Sequence, residues 1–229
     1  MINKIYSIVR DKLIDNDEEA LFISNKLIDE INTLDNNTSN ANPFIIGFLG
    51  KAGSGKSTAQ QLLRNMLKNH KKVYMCNFAG TLKNICFNVF KHKLTRSSFF
   101  GGQADKLKIN QSYYNLSGRQ ILQIIGTDVV RELYGSNFWI DCCYNKIPDD
   151  IEIVILGDVR FSNEVDSIKQ RNGIIIKIET PKNNNIITHV SENIDNINYD
   201  YIIYNDRIYI YKLKNDIEKI MKSIAKFNL

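Results

Sequence analysis

Phe44-Ile45-Ile46-Gly47-Phe48-Leu49 runs directly into Gly50-Lys51-Ala52-Gly53-Ser54-Gly55-Lys56-Ser57-Thr58. An apolar run of strand length breaks into a glycine-rich turn. A helix-forming segment follows, with Leu62, Leu63, Met66 and Leu67 along one side. The turn fits the pattern G-x-x-x-x-G-K-[ST], and chemistry accounts for the residue types. Glycines let successive backbone N–H groups curl inward as an anion nest. The helix beyond them offers unpaired N–H groups and the positive end of its dipole. Gly50, Ala52, Gly53, Ser54, Gly55, Lys56, Ser57 and Thr58 are therefore expected to cradle the phosphates of a nucleoside triphosphate. Lys56 reaches the outer phosphates in this reading, and the Ser57 hydroxyl ligates Mg²⁺. The competing reading is an accidental Gly/Ser/Lys turn. The buried-type strand before it and the helix after it favour the nucleotide.

Outward from this turn the chain alternates. The helix is predicted over Lys56–Lys68 and a short strand over Lys72–Cys76; residues 79–146 read as a mainly helical insertion. Ile151–Leu156 is a continuous apolar run ending at Gly157, the mark of a central parallel strand. A helix is expected over Ser162–Gln170, a strand over Ile174–Ile178 and polar loop over Thr180–Asn198. A short strand at Tyr201–Tyr204, pairing with Ile208–Tyr211, and a last helix over Lys214–Lys226 complete the core. Such alternation implies an α/β fold, a parallel sheet with helices on both faces. Ligands bind such sheets at the carboxyl ends of the strands. The glycine-rich turn and Asp158 both stand there.

Before the core, residues 1–35 read as two amphipathic helices, one carrying Ile2, Ile5, Tyr6 and Val9, the other Ala20, Leu27, Ile28 and Ile31. Asp35 to Pro43 is polar and turn-rich, a linker. The expected division is thus an N-terminal helical extension with linker, 1–43, and a core domain, 44–229. The extension has three candidate roles: packing on the core, homodimer formation or partner binding. Packing on the core is the default expectation.

Thirty Lys+Arg against 25 Asp+Glu leave a net charge of +5, suited to anionic small molecules and too even for a nucleic-acid stripe. No run is long enough to span a membrane. Cys76, Cys86, Cys142 and Cys143 form no C-x-x-C pair, and the adjacent Cys142 and Cys143 read as packing residues on a helix. A reducing cytoplasm is the expected compartment.

An acidic residue ending a buried strand near a phosphate loop is a usual partner of Mg²⁺, so Asp158 is expected either to hold the metal or to orient the acceptor. Phosphoryl transfer asks for positioning and for cations along the migrating charge. Arg119, Arg131, Arg160 and Arg171 are the candidates, since arginine's fork matches phosphate. Arg160, two residues past Asp158, is best placed. Ser117-Gly118-Arg119-Gln120 has the form of a capping box, putting Arg119 in a helix's first turn.

The ordered blocks resemble the deoxynucleoside monophosphate kinases of large DNA phages and related viruses. The blocks are Gly50–Ser57, then Gly118-Arg119-Gln120-Ile121-Leu122-Gln123 with Gly126-Thr127-Asp128, then Arg131 followed by Trp139. Asp158-Val159-Arg160-Phe161-x-Asn163-Glu164 and His189-x-Ser191-Glu192 follow. The likeness spans about 44–226. It implies a P-loop kinase fold with a helical acceptor-binding insertion, ATP and Mg²⁺ as donor, and a deoxynucleoside 5′-monophosphate as acceptor. By position it places Arg119, Asp128 and Arg131 toward the acceptor and Arg160 near the transferred phosphoryl, with Lys56 and Asp158 completing the catalytic set. Trp139 is compatible with stacking on a base, although a lone tryptophan in a helical insertion is more often core. The chain departs from the pattern in having no long arginine-rich lid after Asp158. Rival readings are another small-molecule kinase, of the dephospho-coenzyme A or phosphomevalonate type, and a regulatory NTPase that binds a partner through residues 1–35.

Overall fold

Apolar runs without alternation need cover on both faces, and the sheet they build has it. The computed structural model describes residues 1–34, 42–111, 113, 115–180, 194 and 196–224. The chain divides into two compact units, one of residues 1–38 and 79–145, the other of residues 39–78 and 146–229.

The second unit holds a five-stranded sheet of β1 (Phe44–Leu49), β2 (Val73–Cys76), β5 (Ile153–Val159), β6 (Ile174–Glu179) and β7 (Tyr201–Tyr204), in the order β2-β5-β1-β6-β7. Every pairing is parallel. Helix α3 (Lys56–Leu67) and helix α11 (Ile210–Ser223) cover one face: Leu63, Leu67, Leu213, Ile217 and Met221 pack with Ile46, Phe48, Ile155 and Ile176. Helix α10 (Ser162–Lys169) covers the other, where Gly47 leaves room for Ile168. A parallel sheet with helices on both faces is thus the observed architecture, as expected.

One expectation fails here. Ile208–Tyr211 forms no strand, because α11 already begins at Ile210. Asp206 Oδ1 accepts from the N–H groups of Ile208, at 2.9 Å, and Tyr209, and Lys212 pairs with its other oxygen. Those bonds hold the carboxyl below its usual range and turn the chain into a helix. Arg207, with a φ of 61°, marks the corner.

The first unit is helical: α1 (Ile2–Lys12), α2 (Asp17–Asn32), α4 (Gly80–Phe90), the short α5 (Ser97–Phe100) and α6 (Gln103–Leu107), then α7 (Gly118–Gln123). A π-helix over Ile124–Arg131 continues α7 and passes into α8 (Glu132–Tyr134), so one rod runs from Gly118 to Tyr134 before α9 (Phe138–Tyr144). A two-stranded antiparallel ladder pairs β3 (Ile109–Asn110) with β4 (Leu116–Ser117). Cys142 and Cys143 lie buried on α9, as the packing reading requires.

The N-terminal helices share this unit's core. Ile5, Val9, Leu13, Ile23 and Leu27 are fully buried in one cluster with Ile85, Val89, Phe90, Ile121 and Ile125. Asn16 caps α2 by accepting from the Glu19 N–H at 2.9 Å, and Asp17, Glu18 and Glu19 favour the helix's positive end. The division expected at residue 43 is therefore not a packing boundary: α1 and α2 are structural members of the helical unit. Replacing Leu27 by alanine should lower unfolding free energy by about 2–5 kcal/mol, read from the denaturant midpoint. An unchanged midpoint would return α2 to the status of an appendage.

Candidate active site

Strand β1 bonds neighbours on both sides up to Leu49, which faces Val159 of β5 and Lys177 of β6. The chain then leaves the sheet at Gly50. A Cβ there would stand 2.5 Å from Ser54 Oγ and 2.6 Å from Ile178 O, so only glycine allows the loop to close this tightly. Gly53 and Gly55 take φ values of 77° and 103°, which side-chain-bearing residues rarely adopt. Gly55 caps α3, and Ala59 N–H donates to its carbonyl at 2.9 Å. The loop therefore leads straight into the start of α3, a helix end suited to an anion.

Lys56 is 6% exposed, and its ammonium donates to the carbonyls of Gly50 at 2.5 Å and Lys51 at 2.7 Å. Ser57 and Thr58 are exposed on the first turn of α3. Ser54 Oγ is buried and has no hydrogen-bond partner among the described residues. An orphaned hydroxyl at this depth is uncommon and marks a loop shaped for a partner from outside the chain.

Asp158 sits at the end of β5, beside β1 in the sheet, half-buried, with Oδ1 accepting from the Phe78 N–H at 2.9 Å. Asn77 Oδ1 accepts from the Gly157 N–H at 3.1 Å, which ties the segment after β2 to the same strand end. Arg160 follows, and Glu164 fixes its turn. The buried Glu164 carboxylate accepts from Arg160 N–H at 2.8 Å and Phe161 N–H at 3.2 Å, closing the start of α10. The glycine loop, Asp158 and Arg160 thus belong to one unit and one end of its sheet. Arg171 lies elsewhere: its guanidinium donates to Ser167 O at the end of α10. Among the described residues no group of three or more His, Cys, Asp or Glu side chains could hold a metal on its own.

Two residues that sequence reasoning passed over hold this end together. Asn205, 8% exposed at the end of β7, donates to Ser54 O at 2.8 Å and accepts from Arg207 N–H at 3.1 Å. It straps the last strand to the glycine loop. Gln60 of α3 donates to Cys76 O at 3.0 Å and Ile155 O at 2.7 Å, bridging the end of β2 and the middle of β5. Asn205-Asp206 carried a turn signal, but no local pattern names a partner 151 residues away.

The remaining candidates lie in the helical unit, on or beside its long rod. The capping box is formed: Ser117 Oγ accepts from Gln120 N–H at 3.3 Å and Gln120 Oε1 accepts from Ser117 N–H at 2.9 Å. Arg119 is accordingly in the first turn and donates to Gln103 Oε1 at 2.5 Å. Asp128 and Arg131 fall in the π segment, both half-buried. Asp128 Oδ2 pairs with Lys12 Nζ at 2.7 Å. Trp139 is 2% exposed, and its indole N–H donates to Gly126 O at 3.0 Å. It takes the core position set beside stacking as its alternative, where its N–H satisfies a carbonyl of the π segment. His189, Ser191 and Glu192 lie outside the described residues.

A family model described as "Deoxynucleotide monophosphate kinase" matches residues 73–217. A protein of Acanthamoeba polyphaga mimivirus, "Putative deoxynucleotide monophosphate kinase", is 31% identical over 179 residues, covering 71% of this chain and 89% of the relative. The "Deoxynucleoside-5′-monophosphate kinase" of Escherichia phage T5 is 33% identical over 58 residues, 25% of this chain and 23% of its own. Among solved structures, a Mycobacterium tuberculosis APS kinase is similar over 80% of this chain and 99% of its own at 12% identity, with a TM-score of 0.37. So loose a likeness carries no argument.

Asn205→Ala should weaken ATP binding about tenfold in calorimetry, since the Ser54 carbonyl loses a buried donor. Unchanged affinity in that variant would show that the strap has no part in shaping the loop.

Proposed function

The chain belongs to the deoxynucleotide monophosphate kinase family, and from that premise we propose that it transfers the γ-phosphoryl group of ATP to a deoxynucleoside 5′-monophosphate, giving the diphosphate. The observation that carries this reading is the buried Lys56 ammonium over the carbonyls of Gly50 and Lys51, at the mouth of a glycine loop whose Ser54 hydroxyl is orphaned.

Each feature suits a triphosphate. Main-chain N–H groups of Gly53–Thr58 bind oxygens of the donor, and Lys56 exchanges its carbonyl partners for the outer phosphates. The Ser57 hydroxyl and the Asp158 carboxylate would hold a Mg²⁺ ion brought with ATP, which would supply positive charge to offset that of the phosphates. Asp158 is steadied by the Phe78 amide, and Arg160, held by Glu164, offers a planar cation to the phosphoryl group in transit. Arg119, Asp128 and Arg131 bind the acceptor, the arginines its phosphate and Asp128 its hydroxyl or amide N–H donors. Trp139 supports this set from below by holding the Gly126 carbonyl. The four free cysteines suit a reducing cytoplasm, and no described helix is long and apolar enough to cross a membrane.

A panel of nucleoside monophosphates, dephospho-coenzyme A and phosphomevalonate in a coupled ADP-release assay tests the reaction. Turnover is expected only with nucleoside monophosphates, and Lys56→Ala should reduce it by at least about a hundredfold with folding intact. Near-normal turnover in that variant would remove the glycine loop from the donor site. Arg119→Ala should raise the acceptor KM about tenfold or more while leaving the KM for ATP within about twofold. Equal effects on both substrates would move Arg119 out of the acceptor's reach.

A further inference from the structure

We infer that Lys12, the last residue of α1, is a positioning residue for the acceptor, acting through Asp128. This rests on the assignment of Asp128 to the acceptor made above. The family match begins at residue 73, so α1 lies outside it.

Lys12 Nζ stands 2.7 Å from Asp128 Oδ2, with the two side chains 50% and 33% exposed. Neither backbone is free to drift. Val9 and Leu13, on either side of Lys12 along α1, are fully buried, and so are Val129 and Val130 beside Asp128. The end of α1 is closed by the N–H groups of Leu13, at 2.9 Å, and Ile14, at 3.1 Å, both donating to Val9 O. Its other end touches the same rod, where Tyr134 Oη donates to Met1 Sδ at 2.8 Å. The helix therefore lies along the element that carries Arg119, Asp128 and Arg131 and delivers one ammonium to its only described carboxylate between those arginines.

As a stabilising contact such a pair is worth little, because solvent screens it and two long side chains must be held still. Its chemistry is more useful. A bare carboxylate beside an acceptor phosphate repels it, and a carboxylate with free rotation presents either oxygen. Lys12 offsets the charge and fixes Oδ2, so that Oδ1 meets a hydroxyl or N–H of the acceptor in one orientation. The π segment contributes as well, since its wider turn re-aims the residues it carries.

The experiment measures steady-state KM and kcat for a deoxynucleoside monophosphate and for ATP with Lys12→Met, Lys12→Arg, Asp128→Asn and the Lys12→Met/Asp128→Asn double variant, each checked by thermal melting. Lys12→Met should raise the acceptor KM about fivefold or more, with the KM for ATP within about twofold and the melting midpoint within about 2 °C. Lys12→Arg should restore the acceptor KM to within about twofold of wild type. Asp128→Asn should raise the acceptor KM, and the double variant should be no worse than Asp128→Asn alone. A normal acceptor KM in Lys12→Met, while Asp128→Asn raises it, would overturn the role of Lys12 alone. Fully additive effects would overturn its action through Asp128. A normal acceptor KM in Asp128→Asn would overturn the acceptor assignment and this inference with it.

Discussion

Everything at the ligand end of the sheet follows from where β1 must stop. Its main-chain groups are taken by β5 and β6 as far as Leu49. One residue later the chain has to curl away through a space that Ser54 and Ile178 leave too narrow for any Cβ. From there to the first turn of α3 the chain joins no ladder, and Ser54 N–H turns back to the Lys51 carbonyl at 3.2 Å. That is an expensive way to end a strand unless something anionic completes it. Asn205 and Gln60 keep the arrangement from relaxing: one fastens the loop to β7, the other fastens α3 to the end of β2 and the middle of β5. The buried Lys56 then supplies the charge.

The helical unit solves a different problem. It presents polar and charged groups from a single rod whose middle is wound as a π-helix. The rod's start is fixed by the reciprocal Ser117–Gln120 bonds, and its π segment is backed by the Trp139 indole. Arg119, at the positive end of the dipole, is where a cation is least welcome, and Gln103 takes part of its hydrogen-bonding capacity. Placing an arginine there makes chemical sense when an anion is to be received. The N-terminal helices close over the same core, so the segment that precedes the glycine loop in sequence stabilises the unit that follows β2.

Much of this was written in the sequence, and the physics says which parts. Strands buried on both faces favour apolar residues at every position, so β1 and the first part of β5 are legible as uninterrupted runs, and β6 as one broken only by Lys177. The glycine loop is legible because its backbone angles exclude most residues, and the capping box because Ser117 and Gln120 bond within one turn. The destination of α1 and α2 was not legible: an amphipathic face says that something covers it and not what. Ile208-Tyr209-Ile210-Tyr211 alternates like a strand, yet the Asp206 side chain starts a helix instead. The π segment differs from an α-helix by one residue in its bonding pattern, too little for periodicity to register. Lys12–Asp128 and Asn205–Ser54 join residues far apart in the chain, which composition and spacing do not encode.

The central claim is that the glycine loop holds ATP and that the same protein then takes up a second, smaller phosphate ester. Calorimetry with Mg²⁺ and a non-hydrolysable ATP analogue at saturation, titrating in a deoxynucleoside 5′-monophosphate, tests it most directly. The account predicts uptake of one monophosphate per chain. Tight binding of the ATP analogue with no uptake of any nucleoside monophosphate would contradict it.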